Sequence, residues 1–119
     1  MTGPERTLVE GFHYPEKVGD LEELVISASG FAGLNLQVLE DLLEAYDRKI
    51  LWAAVGWFLA RYRRAFNVPG DFLRRLERHV PRSPQYLPRR RRGQGGVLVR
   101  PWNLILPESV LALGEADGG

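Results

Sequence analysis

Along the first two-thirds of the chain apolar residues recur at three- and four-residue intervals, the spacing of helices with one buried face. Pro4-Glu5-Arg6-Thr7-Leu8-Val9-Glu10 predicts a short first helix. Proline is tolerated at the first helical position, where the missing N–H has no partner to lose, and an acid follows in the first turn. His13-Tyr14-Pro15 ends that helix, because the residue before a proline is pushed out of the helical region. Asp20 is the expected N-cap of a second helix, with Leu21, Leu24, Val25 and Ala28 on its buried face and Gly30 and Gly33 closing the segment. Asn35 is expected to cap a third. There Leu36, Leu39, Leu42 or Leu43, and Tyr46 point inward, while Glu40, Asp41 and Glu44 meet solvent.

The fourth predicted helix, Arg48 to Phe66, is the centre of the domain. Leu51, Val55, Phe58 and Tyr62 form one stripe, and Trp52 and Trp57 extend it nearly all round, the pattern of a buried helix. Gly56 in its middle costs about 1 kcal/mol relative to alanine, so it is expected to mark a place where another backbone approaches closely. Asn67-Val68-Pro69-Gly70 breaks the helix. A fifth runs from Asp71 to Val80, with Phe72, Leu73, Leu76 and Val80 inward and Arg74, Arg75 and Arg78 outward. Beyond Pro81 the character changes to a long loop holding a short strand at Gln85 to Leu87, then Arg89 to Arg92, then a hairpin-like turn at Gly93 to Gly96. Val97 to Val99 and Trp102 to Leu106 read as short strands split by Pro101, hence edge pieces or a bent pair. The pattern therefore predicts a mainly helical α+β fold of four to five helices around a central buried helix at about 48–66, with a small β element near the C-terminus. Residues 1–111 form a single domain and 112–119 a frayed tail.

Composition narrows the chemistry. With no cysteine there is no disulfide framework, thiolate metal site or thiol nucleophile. The longest apolar run, Ile50 to Ala60, is 11 residues, against roughly 20 needed to span a bilayer. No basic segment followed by an apolar one opens the chain, so no membrane partner and a cytoplasmic location are expected. The net charge of +1 conceals a strong asymmetry. Residues 1–60 carry 4 bases and 10 acids, residues 61–100 carry 12 arginines and 2 acids, and residues 101–119 carry 3 acids and no base. Such asymmetry points to a charged partner.

Catalytic constellations are hard to assemble from these residues. His13 and His79 are the only imidazoles, no Gly-x-Ser-x-Gly elbow surrounds a serine, and no phosphate-loop lysine is present. Glu40 and Asp41 followed by Asp47-Arg48-Lys49 have a spacing seen in metal-dependent nucleases. They fall at a helix junction rather than on a strand, where the ordinary reading is a solvated helix end. The expectation is no enzymatic activity, no catalytic or metal-binding residue and no cofactor. What remains is the arginine-rich stretch. Arg61, Arg64, Arg74, Arg75 and Arg78, together with Arg89, Arg90, Arg91 and Arg92, form the candidate partner or nucleic-acid surface, with Arg63 and Arg82 beside them. Phosphate neutralisation is one use of it, with a log–log salt slope of about −3.6 for four phosphates. Pairing with Glu40, Asp41, Glu44 and Asp47, within the domain or across a homodimer, is the other.

The Pro4–Glu10 segment, the Gly19-Asp20-Leu21-Glu22-Glu23 opening of the second helix, Val55-Gly56-Trp57-Phe58-Leu59 and Arg100-Pro101-Trp102-Asn103-Leu104-Ile105-Leu106-Pro107-Glu108 occur in a suggestive order and spacing. Over residues 4–111 they resemble the C-terminal domain of the abortive-infection (AbiEi-like) antitoxins of type IV toxin–antitoxin systems. The resemblance implies a non-enzymatic regulatory domain that counteracts a nucleotidyltransferase-like toxin and supports transcriptional autorepression through DNA binding. In that family a winged-helix domain precedes the Glu-Arg-Thr-Leu segment. None precedes it in this sequence, so the expectation is either a fragment of a longer protein or a standalone domain. The alternative reading is a nucleic-acid-binding module gripping phosphate through residues 61–100.

Overall fold

A computed structural model describes residues 3–13, 18–87 and 96–112. In chain order the elements are α1 (Pro4–His13), α2 (Val18–Ser29), α3 (Leu36–Tyr46), α4 (Lys49–Arg61), α5 (Arg63–Phe66), α6 (Gly70–Glu77), β1 (Gln85–Tyr86), β2 (Val97–Val99), β3 (Leu104–Leu106) and α7 (Glu108–Ala112). This is a mainly helical α+β fold with a three-stranded sheet near the C-terminus. Helix α4 is buried without interruption from Leu51 to Leu59, as a helix apolar on all sides must be. It packs against α1, α5, α6 and β3, and its rings interlock with theirs. Phe58 lies 6.4 Å from Phe12, 4.9 Å from Tyr62 and 5.9 Å from Phe66, centroid to centroid.

Two boundaries differ from those the periodicity predicts. The central segment is not one helix to Phe66: it breaks at Tyr62 (φ −109°, ψ 32°), leaving α5 as a separate turn closed by Asn67 in the left-handed region. Helix α6 ends at Glu77 rather than Val80. With α7, where the sequence pattern predicts no helix, the helices among the described residues number seven. Asp20 falls inside the first turn of α2 rather than capping it, since the helix begins at Val18. Asn35 does cap α3, its side-chain oxygen accepting from the Val38 N–H at 3.2 Å. Residues 14–17, the glycine turn at 93–95 and the tail from 113 lie outside the described residues.

Helices α1 and α3 run side by side in the same direction and are tied at both ends. At the start, the Asn35 N–H donates to Glu5 Oε2 at 2.7 Å. At the other end, Glu10 Oε2 accepts from Tyr46 Oη at 3.2 Å and from Arg6 Nε at 3.1 Å, and His13 sits edge-on to Tyr46. Burial, and then the bond to Glu10, hold the Tyr46 phenol above the usual 10.0, while the hydrogen bond to Glu10 raises Arg6. A phenol raised on folding contributes stability that is fully present below pH 10 and is lost as pH climbs through the folded value.

The sheet has the order β1-β3-β2, with β1 parallel and β2 antiparallel to β3. Of the two runs split by Pro101, which pair with each other, Val97–Val99 is at an edge while the strand of Trp102–Leu106 is central, with Trp102 in the turn before it. Leu104 and Leu106 are fully buried on the helical side. Asn103 (φ 55°) holds the corner, its Nδ2 donating to Pro81 O at 2.8 Å and its carbonyl accepting from the Gln85 N–H at 2.9 Å. From that corner the Trp102 indole reaches Gly56 in the middle of α4. A Cβ on Gly56 would lie 2.7 Å from Trp102 Cε3 and Cη2 and closer still to Cζ3. The close approach expected at Gly56 is real, but an indole makes it, not a backbone.

That contact generates a sign change. Gly56→Ala gains about 1 kcal/mol of helix propensity but overpacks a rigid ring, at a cost of about 1–3 kcal/mol, and is expected to destabilise. Trp102→Ala costs about 3–5 kcal/mol. In the Trp102→Ala background the same Gly56→Ala change is expected to stabilise, and urea denaturation of the four proteins reads the inversion. A Gly56→Ala effect of the same sign and size in both backgrounds would contradict the packing.

Candidate functional site

Helix α6 is short and strongly two-sided. Phe72 and Leu76, one turn apart, are buried, with Leu73 half-buried beside them, and this anchors the helix on the core. Side chains three and four residues apart share a helix face, so Arg74 and Arg78 come together on the side away from the core, and both are exposed. Neither forms an ion pair with a described residue. Arg78 forms the C-cap, its N–H donating to the carbonyls of Arg75 and Leu76. Cations at this end of a helix also complement its dipole.

Arg75 is different from its neighbours. Its guanidinium lies 5.3 Å from the centre of the Phe72 ring, and Nη2 donates to Glu40 Oε1 on α3 at 3.1 Å. With the Arg75 side chain 53% and Glu40 18% exposed, the pair joins α6 to α3 and contributes in the range of surface pairs, about 0.2–1 kcal/mol. Intramolecular pairing with the acidic first half is thus realised at Arg75 and Glu40.

The arginines between α4 and α6 divide in the same way. Arg61 is half-buried, and its Nη2 donates to the carbonyl of Leu111, so it holds α7 against the end of α4. Arg63 donates through Nε to Val68 O at 3.1 Å and stiffens the turn before α6. Arg64 is exposed on α5. Arg63 and Arg64, with Asn67, Val68 and Pro69, line an open depression of about 430 Å³. Of the residues singled out in the sequence, Arg74 and Arg75 lie on α6 and Arg78 caps its C-terminus, Arg64 is exposed on the neighbouring turn, and Arg61 is committed to the fold. Arg89, Arg90, Arg91 and Arg92 lie outside the described residues.

The residues considered for catalysis are held in other contacts. His79 stacks on Trp52 with ring centres 3.9 Å apart and planes inclined by 19°. His13 Nε2 faces Arg48 Nη1 at 3.3 Å; since arginine only donates, a hydrogen bond between them takes this nitrogen as the acceptor. Asp41 accepts from Gln37 Nε2 at 3.0 Å, and Asp47 closes α3 in the left-handed region. Asp47, Arg48 and Lys49 line a second open depression of about 310 Å³ with Ile50, Pro81 and Gln85. Among the described residues no three His, Asp or Glu side chains converge as a metal site would require. No described helix is long and apolar enough to cross a membrane. Compared with protein-family models, curated proteins and solved structures, the chain gives no match.

The division between anchored and free arginines is measurable. Glu40→Gln and Arg75→Gln are each expected to lower stability by up to about 1 kcal/mol and to be non-additive, as partners are. Arg74→Gln and Arg78→Gln are expected to change stability by less than about 0.5 kcal/mol, because the repulsion of like charges one turn apart offsets their interaction with the helix dipole. Equal losses at all four positions would contradict the assignment.

Proposed function

We propose that the chain is a non-enzymatic regulatory domain of the AbiEi-like antitoxin type, which counteracts a nucleotidyltransferase-like toxin in the cytoplasm and supports repression of its own operon. The observation that carries this reading is the build of α6. Its apolar side is spent on the core, while Arg74 and Arg78 are exposed one turn apart with no acid of the described chain paired to them. Two like charges one turn apart repel, which offsets what each gains from the helix dipole, and an anionic surface on a partner gives them a use. The order and spacing of the segments that resemble the antitoxins support the choice of partner. A second reading, in which the same face grips nucleic-acid phosphate, draws on the all-arginine character of the cluster, since the guanidinium fork matches phosphate oxygens in pairs.

The test is co-expression with the nucleotidyltransferase-like toxin encoded beside this chain. The wild type is expected to restore growth, and Arg74→Glu/Arg78→Glu to lose that protection while keeping the wild-type melting temperature. Arg75→Gln, which leaves the outward pair in place, is expected to protect. Full protection by the folded double variant would overturn the reading.

A further inference from the structure

Among the described residues five large hydrophobic side chains stand exposed, and three of them, Tyr86, Val97 and Leu98, belong to the small sheet. The strand register shows what two of these form. Tyr86 pairs with Ile105, and Ile105 with Leu98. Leu104 and Leu106, on either side of Ile105, are buried toward the helices, so by the alternation of a strand Ile105 and its two partners share the opposite face. Directly opposed residues keep their Cβ atoms about 4.5–5.5 Å apart. The result is a continuous apolar strip, one residue from each strand, with an aromatic ring at one end. Tyr86 is 44% exposed and Leu98 38%.

One end of this face is cationic. Arg100 follows Val99 at the start of the turn into β3, and Arg82 lies three residues before Gln85; both are exposed. Asn103 draws the two segments to one corner, bonding Pro81 O through its side chain and the Gln85 N–H through its carbonyl. The acids nearest to them in sequence are Glu77, at the end of α6, and Glu108, which opens α7 beyond the opposite end of β3.

We propose that the outer face of the sheet binds single-stranded nucleic acid, with a base stacked on Tyr86 and resting along Ile105 and Leu98, and backbone phosphates at Arg82 and Arg100. Every base has an apolar π-face attached to an anion, and it requires an aromatic platform edged by cations. In a duplex that face is hidden, so the platform selects unpaired strands. A second copy docking here about a two-fold axis would pair the patch with itself, and none of the patch residues is an acid that could meet Arg82 or Arg100. The strip is separate from α6 and does not rest on the antitoxin reading.

The experiment is a fluorescence-anisotropy titration of the full chain with labelled oligomers of about ten nucleotides, within the range such platforms cover: an oligouridine RNA, an oligothymidine DNA and a duplex. Binding of either single strand supports the proposal and identifies the sugar preferred. Tyr86→Ala is expected to weaken single-strand binding roughly tenfold or more, with duplex binding unchanged. Tyr86→Phe, which keeps the ring, is expected to stay within about twofold, the same stacking surface being retained. Arg82→Gln/Arg100→Gln is expected to lower the log–log salt slope by about 1.4, the share of two phosphates on a single strand. Because Tyr86 is exposed, each variant is expected to melt with the wild type. The proposal is overturned if no single strand binds at low salt, if Tyr86→Ala binds like wild type, or if Tyr86→Phe loses as much as Tyr86→Ala. It is also overturned if sedimentation shows a wild-type dimer that Tyr86→Ala makes monomeric, with no strand bound by either.

Discussion

From Leu51 to Leu59 helix α4 has no face in water, and each neighbouring element can be understood as part of its cover. A helix of this composition is stable only when enclosed, since an exposed stripe of Trp, Phe and Leu would forgo about 1.5–3 kcal/mol for each large side chain. Helix α1 covers it through Phe12, α6 through Phe72 and Leu76, and β3 through Leu104 and Leu106. Trp102 completes the cover, its indole lying on the bare backbone of Gly56. Glycine is a poor helix residue, but here its missing side chain makes room for a ring. That exchange fixes the sheet against the helices and sets the position of the corner at Asn103.

The same constraint separates structural from free arginines. A helix that covers α4 commits its apolar side, and whatever charge it carries is turned outward or spent on a neighbour. Arg75 is spent on Glu40 and Arg61 on the Leu111 carbonyl. Arg74 and Arg78 remain on the outer side of α6, and Arg64 on the turn before it. The +10 charge of residues 61–100 is therefore not one uniform patch. It consists of cations that join elements and cations that meet solvent, and the latter carry the functional reading.

Local features of the fold were legible in the sequence wherever the signal was local. The unbroken apolar run announced α4, Asn35 announced the cap of α3, and the outward direction of Arg74, Arg75 and Arg78 followed from Phe72 and Leu76. The break at Tyr62 was not legible, because no glycine or proline marks it. Helix α7 had a usable signal: Pro107-Glu108 repeats the proline-then-acid opening that identified α1. Partners distant in the chain were the real limit. Crowding at Gly56 could be read, but nothing near it specifies a ring 46 positions away in the sequence. Arg75 had four acids to choose from, and only the packing of α6 on α3 selects Glu40. The rung of Tyr86, Ile105 and Leu98 exists only through a strand order, β1-β3-β2, that the sequence pattern does not encode.

A buried helix makes the fold, and a cationic face on α6 is proposed to make the contact with a toxin. Hydrogen exchange read by mass spectrometry, on the full chain with and without the proposed nucleotidyltransferase-like toxin, tests that separation directly. The account predicts slowed exchange in residues 70–80 on complex formation, with residues 51–59 strongly protected in both states and unchanged. A complex that forms while residues 70–80 exchange as in the free chain would contradict it.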